Sequence, residues 1–199
     1  MRRLPRIGSD TEGLTTVEFV VVLPFFLIIV FYVLEVALAI FVWQSVYTAA
    51  QVGARMAVVS DPAVPSGTCP LAAGALPVTN CKSSGGEYGK SCAAGNCESY
   101  GTVSCTGGSS GSCNGTAFNA ICTRMRNLFA LIECSNITVS YSDSGLGFAG
   151  GPVIPDVAVS VSGVPFNIVS VPILPNIVST MPTISVVLTG EDLSTSGGS

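Results

Sequence analysis

Histidine is absent from all 199 residues. This removes Ser-His-Asp and Cys-His nucleophilic catalysis and every histidine-containing zinc site. Charge is scarce: Asp, Glu, Lys and Arg make up 10% of the chain, against about a quarter in ordinary soluble proteins. The balance is acidic, with net charge −4 and a pI near 4.6, so the basic footprint of a nucleic-acid binder is missing. The cysteines never fall in a C-x-x-C spacing, which removes support for zinc ribbons and thioredoxin-like redox chemistry. With no catalytic constellation and no metal-ligand spacing, the sequence reads as a non-enzyme that needs no metal or cofactor.

The scarcity of charge has a local cause. Between Leu14 and Ala54 the only side chains charged at neutral pH are Glu18 and Glu35, and the apolar run Phe19 to Val42 is 24 residues long. About 20 residues suffice to span a bilayer. Arg2, Arg3 and Arg6 precede the run, and the next positive charge is Arg55. The positive-inside rule then places the N-terminus in the cytoplasm and the rest of the chain outside, as a single-pass inner-membrane protein. Leu14 to about Ser60 reads as one helix, with Pro24 tolerated inside it and a stop at Asp61-Pro62. Beyond the span, Trp43, Val46, Tyr47, Ala50, Ala54 and Ala57 form an apolar helical stripe expected to pack on the protein's own outer domain. Ala49, Gly53 and Ala57 add a small-residue row that allows close approach.

All eight cysteines (Cys69, Cys81, Cys92, Cys97, Cys105, Cys113, Cys122 and Cys134) lie beyond the span. An even count on one side of an anchor reads as disulfides in an oxidising compartment, with the pairing left open. Residues 61–116 are rich in Gly, Ser, Pro and Cys, lack periodicity, and are expected to be stapled loops. Thr116 is a candidate cap for a second helix carrying Phe118, Ile121, Cys122, Met125, Leu128, Phe129 and Ile132 on one face. Alternation then marks Ile137–Tyr141 and Val157–Ser162 as half-buried antiparallel strands, with a further strand over Thr183–Thr189. Pro165, Pro172, Pro175 and Pro182 exclude a central strand between the last two and suggest an excursion or an edge. The expected architecture is α+β: a long N-terminal helix packed on a small antiparallel sheet with a second helix. Its divisions are a leader (1–13), the helix (14–60), the loops (61–116), the helix-and-strand region (117–190) and a polar tail (191–199).

At the entrance to the apolar run stands Gly13-Leu14-Thr15-Thr16-Val17-Glu18-Phe19. A secretory signal is cut after its apolar core; here the short basic leader ends in glycine before it. A carboxylate at membrane depth costs about 2.5–3.5 kcal/mol on insertion scales, so such groups usually have a partner. Cleavage after Gly13 would create one, the α-amine of Leu14 on a neighbouring subunit. This arrangement resembles the prepilin-peptidase site of type IV pilins. Thr15-Thr16-Val17-Glu18-Phe19, Leu23-Pro24, Glu35, Gln44, Ala49-Ala50 and Gly53-Ala54-Arg55-Met56-Ala57 together resemble the TadE-like family over roughly Gly13 to Val59. The resemblance implies a minor pseudopilin of a tight-adherence (Tad/Flp) pilus, supporting surface adherence. Its implied partners are the inner membrane, a prepilin peptidase, other pilin or pseudopilin subunits and the assembly platform. Gly13 and Leu14 would be the processing site, and Glu18, Phe19 and Glu35 assembly residues. At this length the chain is too large for that system's short major pilin.

Two other readings remain. A permanently anchored binding protein would use the cysteine-rich loops as its adhesive surface and need no cleavage. A secreted domain would be released at Ala37-Leu38-Ala39, but Ile40 to Trp43 continue the apolar run. Glu35 also suits an ordinary helix–helix contact. The string Gly107–Gly111 imitates a nucleophile elbow and Gly85–Ser91 a phosphate loop; the first lacks a histidine and the second has Ser84 where the leading glycine belongs.

Overall fold

The computed structural model describes residues 11–70, 74–108, 113–165 and 180–190, and only the backbone of 11–16. Most of the leader, the polar tail, Pro172 and Pro175 lie outside the described residues.

Helix α1 runs unbroken from Thr11 to Val59 with Pro24 inside it, a rod of about 74 Å at 1.5 Å per residue. Two short strands, β1 (Ser66–Gly67) and β2 (Leu76–Pro77), pair in parallel. A one-turn 3-10 segment at Cys92–Ala94 precedes β3 (Thr102–Thr106). Helix α2 (Gly115–Leu128) follows, then a 3-10 turn at Cys134–Asn136, β4 (Ile137–Asp143), β5 (Pro155–Val161) and β6 (Ile184–Thr189). Strands β3-β4-β5-β6 form one antiparallel sheet in that order.

The α+β architecture is as the sequence pattern predicts. Strict alternation in β4 and β5 buries Ile137, Val139, Tyr141, Val157, Val159 and Val161 on one face. The outer part of α1 lies across that sheet, against β5 and β6, and alongside α2. Pro165 and Pro182 sit outside the strands, and Pro165 bridges Thr180 where the chain leaves and rejoins the sheet. Strand β6 is an edge of the sheet.

Three expectations need correction. The region read as aperiodic loop contains β3, whose Val103 and Cys105 point into the core; the alternation is only five residues long and its second inward position is a cysteine. The cap of α2 is Asn114, not Thr116, and its side chain accepts from the Ala117 N–H at 3.5 Å. The helix also ends earlier than the spacing suggests. Phe129 is already extended (φ −146°), so Ile132 reaches the core from a turn, and Leu128 stays 51% exposed.

The cysteines form four disulfides: Cys69–Cys81, Cys92–Cys97, Cys105–Cys113 and Cys122–Cys134. Cys105–Cys113 ties β3 to the chain entering α2, and Cys122–Cys134 ties α2 to the turn before β4. The first two pairs staple the 66–97 loops. Those loops are also zipped to residues 147–152: the buried Asn80 donates from its backbone to Gly151 O (2.8 Å) and from Nδ2 to Pro152 O (2.9 Å). Cys92 N–H donates to Gly147 O at 3.0 Å in the same seam.

Candidate functional site

Helix α1 divides into two parts with different surroundings. From Val46 onward one face is closed by the head domain: Val46, Ala49, Ala50, Ala54 and Ala57 are buried. The small-residue row is the reason the fit is close. A Cβ built on Gly53 would lie 2.5 Å from the Met125 sulfur and 2.9 Å from its Cγ, so α2 packs where α1 offers no side chain. Ala49, Gly53 and Ala57, four residues apart, form the floor of that contact.

Trp43 and Tyr47, expected on the same stripe, are instead 40% and 44% exposed. They flank a face built from alanine and glycine, and their bulk would hold α2 and the sheet away from it. Their position immediately after the apolar run is that of interfacial aromatics, which place an apolar ring and a polar tip at headgroup level.

Below Val42 the helix has no cover among the described residues. Phe19, Val20, Phe25, Phe26, Ile29, Phe31, Tyr32, Val33 and Leu38 are all exposed. Such a contiguous apolar surface does not persist in water. The stretch from Thr11 to Phe41 extends about 46 Å, and the hydrocarbon core is about 30 Å thick. Among the described residues one helix is long and apolar enough to cross a membrane, and it supports single-pass anchoring.

Both carboxylates of the apolar run stand on this uncovered part. Glu18 and Phe19 project from it near the helix start, and Glu35 is partly screened by its own helix. Glu35 precedes Val46 by eleven residues, about three turns, so it lies on the line of the head-packing face continued downward. Glu18 lies seventeen residues earlier, about a quarter turn round from that line. The two acidic side chains therefore address different directions. Gly13 and Leu14 lie on the α1 backbone, one helical turn before Glu18.

Among the described residues, no group of three or more His, Cys, Asp or Glu is placed to hold a metal. All eight cysteines are committed to disulfides. The sequence missed the identity of Met125 as the partner of Gly53, the outward turn of Trp43 and Tyr47, and the seam between the 80–92 and 147–152 loops. Only the first left a local signal, the small-residue row itself.

No curated protein and no solved structure matches the chain. The family model described as TadE-like protein matches residues 13–55. That match covers the uncovered span, both carboxylates and the small-residue face as far as Arg55. Over residues 13–55, on its N-terminal helix, the chain is similar to TadE-like proteins, as the motif order led us to expect.

Proposed function

We propose that the chain is a minor pseudopilin, cut after Gly13 by a prepilin peptidase and drawn through α1 into assembly of a Tad/Flp-type pilus. The observation that carries this reading is Glu18: a carboxylate five residues beyond Gly13, on a continuous helix whose surface there is uncovered among the described residues. An uncompensated charge at that depth is costly. The α-amine of Leu14 on a neighbouring subunit would compensate it and fix the axial stagger of the two helices. Glu35, on a different side, would meet a second helix. The N-terminus would lie in the cytoplasm and the disulfide-bonded head outside, where the cysteines oxidise.

The test is the N-terminus itself. Full-length protein is expressed with and without its peptidase, and the mature chain is sequenced from its first residue. The expected start is Leu14 in the presence of peptidase and Met1 in its absence. An intact Met1 in cells with working peptidase would return the chain to the second reading, a permanently anchored binding protein. Glu18→Gln, which keeps shape and removes charge, is expected to leave processing intact and stop pilus production.

A further inference from the structure

Helix α2 descends alongside α1 toward the membrane. Its start is fixed beyond the end of α1, where Asn114 N–H donates to Ala63 O at 2.8 Å. Ten residues back along α1, Gly53 meets Met125 near the other end of α2. The two helices are therefore antiparallel, and α2 ends low. Leu128 lies about 5 Å beyond the level of Met125, and Tyr47 about 9 Å below Gly53. The end of α2 thus stops within about 4 Å of the level of Tyr47. If α1 spans the bilayer up to Val42, Tyr47 stands about 8 Å and the tip about 12 Å beyond the hydrocarbon edge, at the outer margin of the headgroups, where a tilt of α1 lowers the tip onto them.

The residues at this tip do not serve the core. The buried face of α2 is Ala117, Phe118, Ile121, Cys122 and Met125. Leu128 and Leu131 are 51% and 52% exposed, and Arg124 and Arg126 are exposed beside them. Arg126 in the last turn also complements the helix carbonyls, but that accounts for neither Arg124 nor the leucines. The nearby carboxylate of Glu133 accepts from Ser135 Oγ at 3.4 Å and keeps its charge, so the two arginines leave this end of the head with one net positive charge. The turn is held firmly, by buried Ile132 on one side and the Cys122–Cys134 disulfide on the other. Two leucines and two arginines on a fixed tip at the outer margin of the headgroups match a surface that is apolar beneath and anionic above.

We propose that Arg124, Arg126, Leu128 and Leu131 form a second membrane contact that seats the head on anionic phospholipid headgroups of the leaflet from which α1 emerges. The proposal rests on α1 being a membrane span. Seating the tip fixes the tilt of the head, and with it the direction in which the stapled loops face.

The chain has one tryptophan, Trp43, which makes depth measurable. The full chain is reconstituted into phosphatidylcholine vesicles containing about 30% phosphatidylglycerol, with bromines on the acyl chains near the headgroup as quenchers. The native protein reports on Trp43. A Trp43→Phe, Leu131→Trp variant reports on the tip, with Trp43→Phe, Leu128→Trp as a second probe should the first fail to fold. Trp43→Phe, Tyr88→Trp reports on the opposite end of β4 from the tip, where Tyr88 lies against the 147–152 loop. Quenching is expected at Trp43 and at the tip, and none at position 88. Adding Arg124→Gln and Arg126→Gln, or omitting phosphatidylglycerol, is expected to weaken tip contact about fivefold per arginine. Quenching at Trp43 with none at the tip would overturn the proposal and leave the span intact. No quenching at Trp43 would remove the span, and the proposal with it. Tip quenching indifferent to the arginines and to lipid charge would overturn the headgroup assignment.

Discussion

The phenol oxygen of Tyr141, in the middle of β4, accepts a buried hydrogen bond of 3.0 Å from the Ala63 N–H, 78 residues earlier in the chain. The bond joins the sheet to the segment that has just left α1, so the head cannot shift along the helix without breaking it. Tyr141 is also the largest fully buried side chain of the core. Tyr141→Phe keeps the ring and removes the acceptor, leaving a buried N–H unpaired. We expect a loss of about 1–3 kcal/mol of head-domain stability, read as a lower denaturation midpoint in urea for the detergent-solubilised protein. An unchanged midpoint would mean the bond is not made in solution.

The same tyrosine makes stability depend on alkaline pH. Burial pushes its ionisation up to about 12, although donation from Ala63 pulls the other way. Burial and the carboxylates of Asp143 and Asp156 raise Tyr100 as well. An unfolded chain loses these protons near pH 10. Between pH 10 and 12 the folded state therefore holds more protons than the unfolded one, and stability falls as pH rises. Below pH 10 the contribution is complete and flat. Urea midpoints at pH 8, 10 and 11 should be level over the first interval and decline over the second, with a shallower decline in Tyr141→Phe.

Gly53 and Met125 provide a test of the helix–helix contact in which a second substitution can restore what the first removes. Gly53→Val places methyl groups where the Met125 side chain already lies, and overpacking of this kind costs about 1–3 kcal/mol. Met125→Ala alone opens a cavity and costs about 2–5 kcal/mol. The double substitution should be less destabilised than the sum of the two, because each relieves the defect of the other. Strict additivity in thermal melts would show that the two residues do not face each other.

Much of this arrangement could be read in advance, and the failures have physical reasons. The span, its two carboxylates and the strands β4, β5 and β6 announce themselves by runs and alternation that no tertiary contact needs to complete. Strand β3 did not, because five residues beside a glycine-rich stretch give alternation little room and Cys105 looks like a staple before it looks like a core residue. The periodicity that carried α2 past Leu128 to Ile132 continued by coincidence through a turn. Trp43 and Tyr47 fit the stripe by angle, yet face outward because the stripe is built for small residues. Eight cysteines allow on the order of a hundred pairings, and nothing local chooses among them. The pairs observed join near neighbours, 5 to 12 residues apart.

The disulfides divide into two groups that should behave differently on removal. Cys122 and Cys105 are fully buried, and their bridges hold α2 and β3 against the sheet. Replacing Cys122 and Cys134 by alanine should cost about 2–5 kcal/mol and lower the melting point of the whole head. Replacing Cys92 and Cys97, which close a short loop remote from the core, should cost about 2 kcal/mol or less of loop-closure entropy. There the 80–92 and 147–152 seam should open locally, seen as faster hydrogen exchange at the Gly89 amide and at the amide of position 92 without a matching change in melting point. Equal melting shifts for the two pairs would contradict this division.

Glu35 separates membrane insertion from assembly. Removing its charge should ease insertion, since a carboxylate inside the apolar run costs about 2.5–3.5 kcal/mol. If the charge served only as a tolerated defect, Glu35→Leu would give a protein at least as abundant in the membrane and as active in pilus production. If Glu35 meets a donor or cation on a neighbouring helix, as its place on the continued head-packing face supports, the outcomes divide. Glu35→Leu should accumulate normally and produce no pili, while Glu35→Gln, able to donate and accept hydrogen bonds, should retain part of the activity. Membrane abundance and pilus yield measured on the same cultures decide the matter: loss of both together points to misfolding, and loss of pili alone to a missing helix partner.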